Sequence, residues 1–134
     1  MDRLDPAARS ALMANVRSRD TGPERAVRSL AHRLGYRFRL CGADLPGKPD
    51  LVFAGRGKVV FVHGCFWHCH AGCPKHRFPA TRRKYWRTKL DNNVRRDRRS
   101  IAALRRRGWG VMVVWECQLR DPDRLARRLR RFLG

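Results

Sequence analysis

"DLVFAGRGKVVFVH", residues 50–63, sets two short apolar runs either side of a glycine-rich turn, and the fold follows from how it is read. "DLVFA" (50–54) and "KVVFVH" (58–63) are rich in β-branched and aromatic residues, which suit a pleated, half-buried surface. "GRG" between them predicts the turn of a strand pair. Upstream, "YRFRL" (36–40) alternates apolar and basic side chains, as a half-buried strand does, and "CGADLPGKP" (41–49) reads as a loop. Downstream, "PATRRKYWRTKLDNNVRRDRRSIAALRRRG" (79–108) reads as one long helix or two successive ones, with Tyr85, Leu90, Val94, Ile101 and Leu104 facing inward. "WGVMVVWE" (109–116) is the most apolar strand and is expected at the centre of the sheet.

Both ends of the chain read as helices. In "DPAARSALMANVRSR" (5–19), Asp5 is a candidate N-cap, Pro6 a first helical residue, and Leu12, Met13 and Val16 a thin apolar stripe. "TGPERAVRSLAHRLG" (21–35) opens with Thr21 and Glu24 at capping-box spacing, buries Val27, Leu30 and Leu34, and stops at Gly35. "DPDRLARRLRRFL" (121–133) closes the chain as a capped amphipathic helix. The order is helix, helix, three strands, helix, strand, helix. That order predicts an α/β fold with a mixed sheet flanked by helices. With no linker or repeat, residues 1–134 are expected to form a single domain.

The chain carries 32 basic and 11 acidic residues, a formal net charge of +21, and 27 of the basic residues are Arg. Such a surface attracts polyanions, most simply nucleic acid. No apolar run approaches the ~20 residues of a membrane span, and "MDRLDPAARS" lacks the apolar region of a signal peptide, so an intracellular, cytoplasmic protein is expected. In that compartment five cysteines suit a metal site better than disulfides.

Within "FVHGCFWHCHAGC" (61–73) and just beyond it lie Cys65, His68, Cys69, His70, Cys73 and His76, with Cys117 far downstream after the last strand. Cys65, His70, Cys73 and Cys117 would give Zn2+ three thiolates and an imidazole, a closed structural set. Cys69 can replace any of the local ligands in this reading. Nearby, Asp50 follows Pro49 at the start of a strand whose neighbour ends at His63. A carboxylate there lies beside the main-chain carbonyl near Val62, an oxygen-rich setting for a hard cation. His63 and His68 follow, and histidine takes up protons near neutral pH. A Pro-Asp pair is more often only a turn, and each histidine alone is more often structural.

"LPGKPDLVF", "FVHGCFWH", "PATRRKYW", "NVRRDRR" and "VVWEC" together resemble the very-short-patch-repair (Vsr) mismatch endonucleases, in order from about Arg9 to Trp115 and beyond. The resemblance implies a restriction-endonuclease-like core, a structural Zn2+, and Mg2+-dependent nicking of double-stranded DNA 5′ to the thymine of T:G mismatches left by 5-methylcytosine deamination. By position, Asp50 matches the Mg2+-binding aspartate, with the Val62 carbonyl as its partner. His68 matches the histidine that activates the attacking water. Glu24 and His63 match residues that hold water near the scissile phosphate, and Asp97 matches a further acidic residue of the site. Phe66, Trp67 and Met13 match side chains that intercalate beside the mismatch, although aromatics and a helical Met are ordinarily core. Cys65, His70, Cys73 and Cys117 match the zinc ligands. The stretch "AGCPKHRF" is shifted relative to the family pattern, and Cys69 is an extra thiol. A monomer and a functional link to a DNA cytosine-5 methyltransferase are the expected partner relations. Two alternatives stand beside this reading: a restriction-type nuclease acting on unmismatched DNA, and a non-catalytic zinc-stabilised nucleic-acid-binding protein.

Overall fold

Side-chain alternation along three strands divides the core into two layers. The computed structural model describes residues 21–40, 42–73 and 81–134. The expected helix at 5–19, with Met13, and also Cys41 and His76 lie outside them. The elements are α1 (Gly22–Arg33), β1 (Arg39–Leu40), β2 (Leu51–Phe53), a 3-10 turn (Ala54–Arg56), β3 (Lys58–His63), α2 (Arg83–Arg106), β4 (Gly110–Trp115), a second 3-10 turn (Glu116–Arg120) and α3 (Pro122–Leu133). Leu51, Phe53, Val60, Met112 and Val114 pack on one face of the sheet against Val27 and Ala31 of α1 and Leu125, Leu129 and Leu133 of α3. Val52, Val59 and Phe61 pack on the other against Leu104 of α2, with Ile101, Trp109, Val111 and Val113 at the margin.

The four strands run in the order β1-β2-β3-β4, antiparallel except for the parallel pair β3 and β4. The expected mixed sheet is therefore present. β4 is not central, however: it ends the order, and β3 has a strand on each side. Its continuous apolar run reflects burial of both its faces by helices, which does not require a strand on both sides. The α2 crossover separates β3 from β4, as a parallel pair demands. The register aligns Val62 with Val114 and His63 with Trp115, so both strands deliver their C-terminal ends to one edge.

The helix signals are met locally. Thr21 accepts from the Glu24 amide at 3.4 Å. At the other end of α1, Gly35 (φ 90°) donates to His32 and Tyr36 donates to Ala31, the two-bond ending that a left-handed glycine allows. Asp121 accepts from the Arg124 amide to cap α3. Two expectations are corrected. "YRFRL" forms only a two-residue strand, because Tyr36 and Phe38 turn their rings onto Phe53 instead. Tyr85 is 45% exposed: it lies in the first turn of α2 and meets the Trp86 ring edge to face rather than facing the core.

Candidate active site and metal centre

β3 carries the chain to the edge where the candidate residues collect. Asp50 precedes β2, its amide bonded to the Val60 carbonyl at 3.1 Å. Its Oδ2 accepts from the Val62 amide at 2.6 Å. The carboxylate thus lies against the last turn of backbone in β3. Burial, reinforced by the negative charge of Glu24, pushes Asp50 up to about 7, against the pull of the Val62 hydrogen bond. Glu24 enters this space from the first turn of α1 and lines the same cleft, an open cavity of about 890 Å³.

One step further, β3 ends in His63, which is 5% exposed. Its ring stacks on His68 with centroids 3.8 Å apart and an interplanar angle of 6°. Burial first, and then the charge of His68, hold His63 down to about 4, so it stays neutral beneath its neighbour. His68 Nδ1 faces Asp97 Oδ2 at 2.5 Å, across 29 residues of sequence. A carboxylate accepting from Nδ1–H fixes the tautomer and leaves Nε2 as the basic nitrogen. His63, His68 and Asp97 bring their ligand atoms within 4.8 Å of one another.

The loop after His63 is bound to α2 at a second point. Asn93 Nδ2 donates to the Trp67 carbonyl at 3.1 Å, and Arg96 Nη2 donates to Asn93 Oδ1 at 2.7 Å. The Phe66 and Trp67 rings meet edge to face at 5.0 Å, and both meet Trp86 of α2, at 5.6 and 5.9 Å. Trp86, Asn93 and Arg96 were not singled out from the sequence. Helical aromatics read as core, and an Asn on a helix has no motif of its own; the one available signal was "KYW" inside a basic run.

The second cluster lies across the loop. Cys65, His70, Cys73 and Cys117 place their ligand atoms within 4.8 Å of one another. His70 Nδ1 is 3.6 Å from Cys65 Sγ and 3.4 Å from Cys117 Sγ. Tetrahedral zinc with bonds of ~2.3 Å to sulfur and ~2.0 Å to nitrogen needs such a pair ~3.6 Å apart. Burial, then the neighbouring thiols of Cys117 and Cys73, push the Cys65 thiol up to about 12. The His70 ring is held flat against Trp115 at 4.2 Å, and Glu116 Oε1 accepts from the Cys65 amide at 3.4 Å. Cys69 is not in this group: it takes a left-handed turn (φ 54°) and points its thiol at the Leu90 carbonyl of α2, 4.0 Å away. The geometry thus brings together the four residues of the expected set and leaves Cys69 outside the group. Among the described residues no helix is long and apolar enough to cross a membrane.

Comparison with known proteins places sequence relatives beside this geometry. Residues 1–75 match the family described as DNA mismatch endonuclease Vsr. The chain is 54% identical over 132 residues to the type II nicking enzyme V.XorIIP of Xanthomonas oryzae pv. oryzae, covering 98% of this chain and 96% of that one. It is 46% identical over 124 residues to the DNA mismatch endonuclease Vsr of Escherichia coli K12, covering 92% and 79%. A type II nicking enzyme of Neisseria meningitidis, V.NmeAIP, is 36% identical over 132 residues, covering 98% and 94%.

Proposed function

This chain belongs to the Vsr family of DNA mismatch endonucleases, and on that premise we propose that it nicks one strand of duplex DNA, 5′ to the thymine of a T:G mismatch arising from 5-methylcytosine deamination. The observation that carries the reading is a single cleft holding the half-buried Asp50 carboxylate, the His68–Asp97 pair and the Phe66–Trp67 pair, which Trp86 backs from α2. The four-stranded sheet supports a restriction-endonuclease-like core in one domain. The enzyme acts as a monomer on intracellular DNA, with a cytosine-5 methyltransferase as its functional counterpart.

His68 takes the proton from the attacking water through Nε2, because Nδ1 is committed to Asp97. Asp97 orients the ring and stabilises the imidazolium that forms. His63, neutral and buried, supports the His68 ring from below without adding charge. Asp50 fits a divalent cation: burial and Glu24 both disfavour its ionised form, and a cation would offset both. Mg2+ would be held by Asp50 with the Val62 carbonyl and would supply charge neutralisation at the phosphodiester. Zn2+ fits the Cys65–His70–Cys73–Cys117 set and would serve structure alone. Phe66 and Trp67 enter the base stack at the mismatch, where unstacking costs least.

His68→Ala is expected to lower the single-turnover nicking rate about 10²–10⁴-fold with little change in affinity. Asp97→Ala should lose much of the same factor, and the double variant should be no worse than His68→Ala, since the two act as a unit. Additive losses would assign Asp97 a separate job. The test of the function is the ratio of nicking rates on T:G and matched duplexes of one sequence. It should be large for the natural chain and reduced in a Phe66→Ala/Trp67→Ala variant that keeps its zinc. Equal nicking of both duplexes would make the enzyme a restriction-type nuclease, and no nicking of either would leave a binding protein.

A further inference from the structure

Three residues other than glycine adopt positive φ among the described residues: Lys48, Cys69 and Arg82. Cys69 points its thiol at the Leu90 carbonyl and Arg82 lies over the Tyr85 ring, whereas Lys48, at φ 52°, makes no described side-chain contact. A left-handed conformation is unfavourable for any side chain with a Cβ. Lys48 also precedes Pro49, and a following proline favours extended backbone near φ −120°. The side chain is exposed, so burial contributes no compensation, and among the described residues its ammonium makes no ion pair. The turn itself is built around Gly47: at φ 75° a Cβ there would lie 2.6 Å from the Ser100 Cβ of α2. The Lys48 amide then donates to the Leu45 carbonyl at 3.1 Å. Glycine or asparagine at position 48 would close this turn with less strain. Strain of this kind persists where the side chain has work to do.

The surroundings indicate the work. Lys48 lines the cleft that holds Asp50, two residues on. Glu24, Asp50, Asp97 and Glu116 line it too, four carboxylates against the lysine and arginine side chains of Lys48 and Arg96 and the imidazoles of His63 and His68. Arg96 is already engaged with Asn93. A phosphodiester entering so acidic a cleft needs a positive charge close to Asp50, and the turn at 47–48 supplies it.

We propose that Lys48 is a catalytic residue whose ammonium contacts a non-bridging oxygen of the scissile phosphate, held in place by the strained Gly47-Lys48-Pro49 turn. The proposal rests on the reading of this cleft as the nicking site. Lys48→Gly and Lys48→Asn both relieve the backbone, and Asn does so without adding chain freedom. Both should raise the melting temperature by a few degrees and keep full zinc content. Both should lower the single-turnover rate on a saturating T:G duplex by about 10²-fold, the scale of losing one charge-stabilising contact. Lys48→Arg should restore the rate to within tenfold. The combination of a more stable protein and a slower reaction is what a purely structural role does not produce. A loss of less than tenfold in Lys48→Asn, or a loss that Lys48→Arg shares in full, overturns the proposal. Asp50→Ala is run beside them: if it nicks normally the cleft is not the active site, whereas an inactive Asp50→Ala beside a fast Lys48→Asn removes the Lys48 proposal alone.

Discussion

Asp50→Ala should reduce nicking by at least about 10³-fold, the largest loss of any single substitution in the cleft, while duplex binding stays within a few-fold of the natural chain. Asp50 is the one described carboxylate fixed by a backbone amide at the end of β3, so no neighbour can take its position. Binding survives because affinity for DNA comes mainly from phosphate contacts by basic side chains, and the chain retains all 32 of them. The pH dependence follows from the Asp50 shift. With the carboxyl raised to about 7, its acid form dominates below that pH and cannot hold a cation. Nicking should rise with pH up to that point, and higher Mg2+ should move the limb to lower pH by displacing the proton. For folding without metal the sign is opposite: a raised carboxyl pKa stabilises below the unfolded value near 3.8, and that contribution is lost as pH rises through about 7. Asp50→Ala at pH 8 without metal should therefore melt no lower than the natural chain, which also shows that the variant is folded. Rate profiles at two Mg2+ concentrations and a melting curve suffice. Nicking that survives the substitution, or a limb that ignores Mg2+, would remove Asp50 from the metal site.

The hairpin of β2 and β3 was legible because two short β-branched and aromatic runs flank a glycine-rich turn. The place of β4 in the sheet was not. An apolar run reports how many faces are covered, and α1, α2 and α3 cover both faces of β4 although it has a strand on one side only. Tyr85 illustrates the limit of helical periodicity: it continues the stripe of Leu90 and Val94, yet the first turn of α2 reaches past the core into the aromatic cluster. In the cleft, Asp50 and the backbone of Val62 were paired in advance, since strand ends can be counted. In the structure the Val62 amide donates to Asp50 Oδ2. The link between His68 and Asp97 spans 29 residues and two elements, so no local pattern carried it, and family likeness placed both residues in one site without pairing them. The conformation of Lys48 left no trace in composition or periodicity, because "LPGKPD" predicts a turn without saying which residue bears the strain.

Cys117→Ser should lose most of the bound zinc, and the damage should appear fifty residues earlier in the chain. Cys117 stands in the second 3-10 turn, just beyond β4, and its sulfur is 3.4 Å from His70 Nδ1. It is the one member of the four-residue cluster outside residues 65–73, so a metal held there would tie the loop to the sheet. Serine is a poor zinc ligand, and structural zinc sites can contribute ~10–16 kcal/mol to folding in small peptides. That figure exceeds the stability of many whole domains, but global unfolding is not the expected outcome here. The two apolar layers, from Val27 to Leu133, are built almost entirely from residues outside the loop. The loss should fall on residues 64–73, whose remaining ties are side-chain contacts, among them the Asn93 bond to Trp67, the His68–Asp97 pair and the ring contacts of Phe66 with Trp86. Amide exchange in that segment should quicken by orders of magnitude while β2, β3 and β4 stay protected. The melting temperature should fall by several degrees, and mismatch preference should fall with it, because an unsupported Phe66–Trp67 pair cannot be presented in one orientation. Cys69→Ser is the control. Its thiol faces the Leu90 carbonyl rather than the cluster, so it should keep one zinc per chain and normal exchange. Full zinc in Cys117→Ser together with a deficit in Cys69→Ser would mean that Cys69 completes the site, and the loop would then have to be held without its tie to β4.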